Sequence, residues 1–77
     1  MNKKFKLSFV VKYHRKLNGY TQKELADLAG VGKTVIFDLE KGKETVGFNI
    51  ITKILRALKL NIFIDTPHEK DKIQLKT

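Results

Sequence analysis

Gly32, Lys33 and Thr34 spell GKT, the end of a phosphate-binding loop in which backbone N–H groups and a lysine hold nucleotide phosphates. That loop also requires a buried strand before it and a glycine five residues before Gly32, where this chain has Asp27. The chain is too short for the parallel sheet of such enzymes, and no nucleophile, base and orienting group form a catalytic set. We therefore expect neither enzymatic activity nor a cofactor.

Donor, acceptor and aromatic side chains follow between residues 33 and 41. Lysine can donate to guanine O6 or N7, aspartate can accept from cytosine N4, and an apolar group can press on a thymine methyl. On a helix with Ile36 facing inward, the outward and flanking positions belong to Thr34, Val35, Phe37, Asp38 and Lys41. The candidate base-reading residues are Lys33, Thr34, Phe37 and Asp38. For Phe37 a core or dimer contact is an equally good interpretation, and Val35 is the alternative for the thymine contact.

Other polar side chains near this segment suit phosphate, which positions a protein on DNA but carries no sequence information. The N–H groups at helix starts add to them. The candidate backbone-contacting residues are Gln22, Lys41, Lys43 and Thr45. A basic leader, residues 1–6, is compatible with either a solvated arm or phosphate binding.

Residues 21–42 predict the two short helices and the tight turn that would position these side chains. Thr21 and Glu24 have the spacing of a capping box at the start of the first helix. Gly30 breaks that helix where a positive φ is easiest, and Gly42 stops the second. The pattern favours a helix-turn-helix, whose second helix enters the DNA major groove, over an ordinary helical hairpin.

Two more helices are predicted around this motif. At helical spacing, residues 7–17 carry the apolar side chains Phe9, Val10, Tyr13 and Leu17, and the other side carries Lys12 and Lys16. A fourth helix opens at Gly47 or Asn49 and has an apolar face of Ile51, Ile54, Leu55 and Leu58. We expect an all-α, compact four-helix domain over residues 7–65, followed by a flexible tail, residues 66–77.

Residues 60–65, LNIFID, alternate with period two and are rich in β-branched and aromatic side chains, which predicts a strand. Apart from a weak candidate at residues 5–7, the chain offers no second segment of comparable quality to pair with it. We therefore expect the strand to pair with its copy across a two-fold axis, forming a homodimer. The predicted dimer contacts are Leu60, Ile62, Phe63 and Ile64.

Composition points to a polyanionic partner. The 77 residues include 16 Lys and Arg against 8 Asp and Glu, a net charge of +8, and no acidic residue precedes Glu24. There is no cysteine, and His14 and His68 have no partner at metal-ligand spacing, so we expect no metal site. Because no apolar run has membrane-spanning length, we expect a soluble, cytoplasmic protein that binds no membrane.

Residues 21–43 have the sequence TQKELADLAGVGKTVIFDLEKGK. This segment resembles the lambda-repressor-like, or XRE, helix-turn-helix family, whose typical pattern is T-Q-x-x-L-A, then A-G-V, then an apolar pair and E-x-G-K. The continuation through ETVGFNIITKILRALKLNIFI is similar to the antitoxin branch typified by HipB, and the resemblance covers about Lys12 to Ile64. In that branch a dimer, joined partly by a C-terminal strand, binds an operator in its own promoter and a HipA-type kinase toxin.

The resemblance also implies roles for single residues. Gln22 matches the glutamine that contacts the DNA backbone, and Arg15 and Glu40 match a buried ion pair between the first helix and the recognition helix. Base-reading or adjacent positions are occupied by Lys33, Thr34 and Phe37. Gly32 stands where the family more often has Ser or Thr, so a side-chain phosphate contact there is not implied.

The sequence therefore predicts a DNA-binding repressor, nucleoid-associated in a bacterial cytoplasm, that binds a palindromic operator as a homodimer and a HipA-like kinase toxin as its antitoxin. The alternative is a stand-alone phage-type or restriction-modification controller repressor without a toxin. A more distant third is a protein-interaction module that has lost DNA binding.

Overall fold

The computed structural model describes residues 6–64 and 73–75, with side chains for residues 6–63. Its elements, in chain order, are α1 (Leu7–Leu17), α2 (Gln22–Ala29), α3 (Lys33–Glu40), α4 (Phe48–Ala57), β1 (Ile62–Ile64) and β2 (Ile73–Leu75). The predicted four-helix, lambda-repressor-like fold with a short C-terminal strand is confirmed. The leader before Lys6, His68 and the rest of the predicted tail outside β2 lie outside the described residues.

Local hydrogen bonds define the turn between α2 and α3. The Thr21 hydroxyl accepts from the Glu24 N–H at 3.0 Å, and the Thr21 N–H donates to Glu24 Oε1 at 2.8 Å, so the predicted capping box is present. Gly30 ends α2 with φ 72°, and the following Val31 N–H donates to the carbonyl of Ala26 at 3.0 Å. These bonds place α3 directly after the corner.

The core lies among the four helices, since α2 packs against α3 and α4 while α1 packs against α3. Its buried residues are Val11, Leu25, Ala26, Ile36, Leu39, Ile54, Leu55 and Leu58. Gly47 caps the start of α4, which decides between the two predicted starts. Within the described residues, no helix is both long and apolar enough to cross a bilayer.

The predicted apolar stripe of α1 is not its core side. Phe9, Tyr13 and Leu17 are more than half exposed, whereas Val11 is fully buried and Arg15 nearly so. Helix α1 therefore has apolar residues on two sides, and the spacing of these residues does not indicate which side is buried. The physical reason is that the Arg15 side carries the contact that joins α1 to α3.

The expectation that β1 has no partner within its own chain is wrong. The strand is shorter than predicted, and it pairs antiparallel with β2, with Ile62 opposite Leu75 and Ile64 opposite Ile73. The predicted flexible tail, residues 66–77, therefore includes a strand, which the sequence does not indicate because three residues after a charged stretch give little periodicity. At the weak alternative, residues 5–7, Leu7 begins α1, and Phe5 lies outside the described residues.

Candidate nucleic-acid interface

A buried network joins the ends of α1, α2 and α3. Arg15 donates from Nε to Glu40 Oε2 at 2.6 Å and from Nη2 to Glu40 Oε1 at 2.9 Å, so the implied ion pair is present and bidentate. Arg15 Nη1 also donates to the carbonyl of Tyr20 at 2.9 Å, in the loop before α2. Hydrogen bonding to Glu40 raises the pKa of Arg15 above its ordinary value, against the opposing effect of burial.

Gln22, the first residue of α2, belongs to the same network. Its Nε2 donates to Glu40 Oε1 at 3.2 Å, and its side chain is half-buried. A glutamine amide nitrogen has two N–H groups, so one hydrogen bond to Glu40 leaves a second donor and the carbonyl oxygen. The network therefore orients a neutral side chain at the start of α2, where helix N–H groups also favour an anion.

The outward side of α3 presents most of the predicted base-reading residues. Lys33 and Thr34 are exposed at its first turn, and Phe37 is 45% exposed, which excludes a core role for its ring. Val35 is half-buried and packs against the core, so Phe37 is the exposed apolar side chain of this helix. Lys41 Nζ lies 4.9 Å from the centre of the Phe37 ring, within the range of a cation–π contact.

Asp38 and Lys43 form a second pair at the end of α3. The Lys43 Nζ lies 3.6 Å from Asp38 Oδ2, and the Lys43 N–H donates to the Asp38 carbonyl at 3.0 Å. The Asp38 side chain is 33% exposed, so its carboxylate is reachable but already faces a cation. Thr45, two residues further on, is exposed in the loop before α4.

Three lysines line one open groove of about 400 Å³ between the start of α1 and the loop after α3. Lys6, Lys41 and Lys43 share it with the hydroxyl-bearing Ser8 and with Leu7, Leu39, Gly42, Glu44, Val46 and Ile51. The grouping brings one residue of the basic leader beside two predicted backbone-contacting lysines. Three cations around one concavity attract phosphate oxygens.

Several of these contacts are not predicted from the sequence. The spacing of Phe37 and Lys41 is the i, i+4 spacing of side chains on one helix face and was sufficient to predict their contact. The hydrogen bond between Gln22 and Glu40 and the position of Lys6 depend on how separate elements pack, and no local pattern signals them.

A family model described as helix-turn-helix matches residues 11–63, which include all four packed helices except the first turn of α1. The chain belongs to the XRE-type helix-turn-helix family. It is therefore a DNA-binding transcriptional regulator, and the features described above lie within the matched region apart from Lys6, Leu7 and Ser8.

This XRE-type regulator is 40% identical over 63 residues to the HTH-type transcriptional regulator y4mF of Sinorhizobium fredii, covering 82% of this chain and 83% of that one. It is similar in structure to a chain of the HipA-HipB-O2-O3 complex, with a TM-score of 0.75 and 27% identity over 88% of this chain and 100% of that chain. The restriction-modification controller protein C.AhdI from Aeromonas hydrophila has a TM-score of 0.67 and 27% identity, over 71% of this chain and 83% of that chain.

Proposed function

We propose that this regulator is a repressor that binds a palindromic operator as a homodimer and is the antitoxin of a HipA-like kinase toxin. The observation that carries the proposal is the extent of the structural likeness. It covers 88% of this chain for the HipA-HipB-O2-O3 complex but 71% for C.AhdI, at equal sequence identity. The longer match supports the antitoxin branch over a stand-alone controller.

On DNA, α3 lies in the major groove in this proposal, and its exposed residues read base edges: Lys33, Thr34, Phe37 and Asp38. Lys33 donates to guanine, and Phe37 presses on a thymine methyl, since Val35 is turned toward the core. Asp38 accepts from cytosine through a carboxylate whose Oδ2 lies 3.6 Å from Lys43 Nζ. When Lys43 contacts a DNA phosphate, the phosphate replaces Asp38 as the anionic partner of Lys43.

Backbone contact is assigned to the residues around the groove and to Gln22. The lysine-lined groove of the protein contains Lys41, Lys43 and Lys6. Thr45 follows Lys43 in the loop between α3 and α4. Gln22 approaches a second phosphate from the start of α2, with its amide held by Glu40. These contacts fix the orientation of α3 in the DNA major groove.

The homodimer is proposed to form through the outer edge of β1. The sheet has two strands in the described part of the chain, so β2 occupies one edge of β1 and the other edge is open to a second copy. Phe63 is 64% exposed, which supplies apolar area for that contact, and the neighbouring residues are Leu60, Ile62 and Ile64. Pairing would give a four-stranded sheet across the two-fold axis.

The test is recovery of the tagged full chain from its native host, with mass spectrometry of bound proteins and sequencing of bound DNA. We expect a stoichiometric kinase-like protein and a palindromic fragment from upstream of the regulator's own gene. A matched variant, Lys33→Ala with Phe37→Ala, should lose the fragment and keep the protein, because both residues lie on the DNA-reading side of α3. Recovery of the palindrome without a kinase-like protein would contradict the antitoxin assignment.

A stand-alone controller is the second candidate, because the likeness to C.AhdI covers 71% of this chain and 83% of that chain at the same identity. It predicts the same DNA fragment and no stoichiometric protein partner, so the same experiment separates the two functions.

A further inference from the structure

Helix α1 has an exposed apolar surface that DNA binding does not use. We call it the outer stripe: Phe9, Tyr13 and Leu17, which are 54%, 52% and 66% exposed. Spaced four residues apart, they lie one above another along about 12 Å of the helix. The rings of Phe9 and Tyr13 stack with centroids 5.8 Å apart and an interplanar angle of 16°, so the stripe begins with a continuous aromatic surface.

The outer stripe faces away from the recognition helix. Arg15 is directed at Glu40 of α3, and Val11 is fully buried in the core. At 3.6 residues per turn, Tyr13 is rotated by about 200° from both of these positions, which places it on the opposite side of α1. The side chains of Phe9 and Leu17 have no hydrogen-bond donor for phosphate oxygens, and the stripe lies on the side of α1 away from α3, so it stays accessible when α3 is in the DNA major groove.

The charged residues beside the outer stripe indicate which kind of partner can bind it. Lys12 and Lys16 are exposed one residue before Tyr13 and Leu17, and no acidic residue precedes Glu24 in the whole chain. A second copy docked stripe to stripe would bring lysines against lysines, which opposes self-association. A partner with an apolar seam and an acidic border is complementary to both the rings and the lysines.

We propose that the outer stripe is a docking surface for an acidic amphipathic helix of another protein, a function beyond DNA binding and independent of any kinase toxin. Side chains at i, i+4 and i+8 form a ridge of the kind that packs against the apolar seam of a second helix. Lys12 and Lys16 then pair with acidic residues that flank the seam of the partner helix.

The test uses two designed peptides of about three heptads with leucine at positions a and d. One carries glutamate and alanine at the remaining positions, and the other carries lysine and alanine. By fluorescence anisotropy the full chain should bind the glutamate peptide, and the variant Phe9→Gln, Tyr13→Gln, Leu17→Gln should bind it at least about tenfold more weakly. That variant keeps every charge, so general attraction to a basic protein cannot produce the difference.

Two matched controls accompany the test. Leu28→Gln removes a leucine of α2 that is 57% exposed, and it should leave binding unchanged. Lys12→Glu with Lys16→Glu should reverse the preference toward the lysine peptide, whereas Lys53→Glu with Arg56→Glu, the same charge change on α4, should not. Circular dichroism and operator binding of the stripe variant verify that the domain is folded.

Three outcomes would overturn the proposal. The first is equal binding of the glutamate peptide by the chain and its stripe variant. The second is self-association that sedimentation shows to depend on the outer stripe, which would make a second copy the occupant. The third is stripe-dependent binding to phosphatidylglycerol vesicles in place of the peptide, which would make a lipid surface the occupant.

Discussion

Arg15 Nε lies 2.6 Å from Glu40 Oε2, across 25 positions of sequence, and this contact joins α1 to the last residue of α3. Glu40 also accepts from Gln22 of α2, so one carboxylate joins α1 to both helices of the DNA-binding motif. Its side chain is 4% exposed and that of Arg15 is 11% exposed. A charge at this depth is stabilised only while its partner is present.

We expect Glu40→Gln to lower the free energy of unfolding by about 3 kcal/mol, because it leaves the Arg15 guanidinium buried without a counter-charge. Arg15→Met should cost a similar amount, and the double variant should cost less than the sum of the two. Denaturant unfolding of the four proteins gives the coupling. Lys23→Ala, which breaks an exposed ion pair with Asp27, is the control and should barely move the midpoint. Strict additivity of the two buried substitutions would show that the pair is not coupled.

Lys33→Ala should relax base preference at one position of each half-site, at a cost of roughly 1 to 3 kcal/mol on the preferred operator. Lys33 is exposed at the first turn of α3, where side chains reach base edges. Affinities for the operator and for operators substituted at each position measure the effect. Equal losses on specific and random DNA would refute base reading by Lys33.

Lys43→Ala should weaken binding to all DNA sequences alike, because Lys43 lies in the groove assigned to phosphate. The slope of log affinity against log salt should fall by about one. Titrations of operator and random duplexes at several salt concentrations provide the measurement. A loss confined to the operator would instead assign Lys43 to base reading.

Gly30→Ala should destabilise the domain by about 1 kcal/mol, because Gly30 has φ 72° and a side chain is strained there. Gly32→Ala is the matched control, since Gly32 has φ −76° and a Cβ at either glycine meets nothing within 4 Å. Thermal unfolding should therefore show a larger loss for Gly30→Ala than for Gly32→Ala, which carries only the cost of alanine at the N-cap of α3. Equal effects would mean that φ at the corner contributes nothing.

Phe63→Asp should dissociate the proposed homodimer, because it places a charge on an exposed side chain of β1 next to the edge that a second copy would occupy. Ile62→Asp should also dissociate it, but Ile62 packs against the core as well, so its effect includes lost stability. Sedimentation equilibrium measures both variants, with Leu28→Asp on α2 as the control. A Phe63→Asp protein that sediments as an intact dimer would rule out this interface.

The helix cap and the turn of the DNA-binding motif could be predicted from the sequence alone. The capping box of Thr21 and Glu24 and the glycine corner at Gly30 each depend on residues within a few positions, so their spacing was enough to predict α2 and the turn. The exposed residues of α3 followed from helical periodicity once Ile36 was taken as its inner side. Together these patterns determined the helix-turn-helix and the set of side chains that it presents.

Packing between distant segments was decided only in the tertiary structure. Helix α1 is apolar on two sides, and its burial on the Val11 side follows from contact with α3, which no property of residues 7–17 encodes. The pairing of β1 with β2, like the position of Lys6 beside Lys43, depends on where the chain returns in space. Periodicity reports which side chains share a face, but the choice of the buried face depends on which arrangement of all the elements encloses the core.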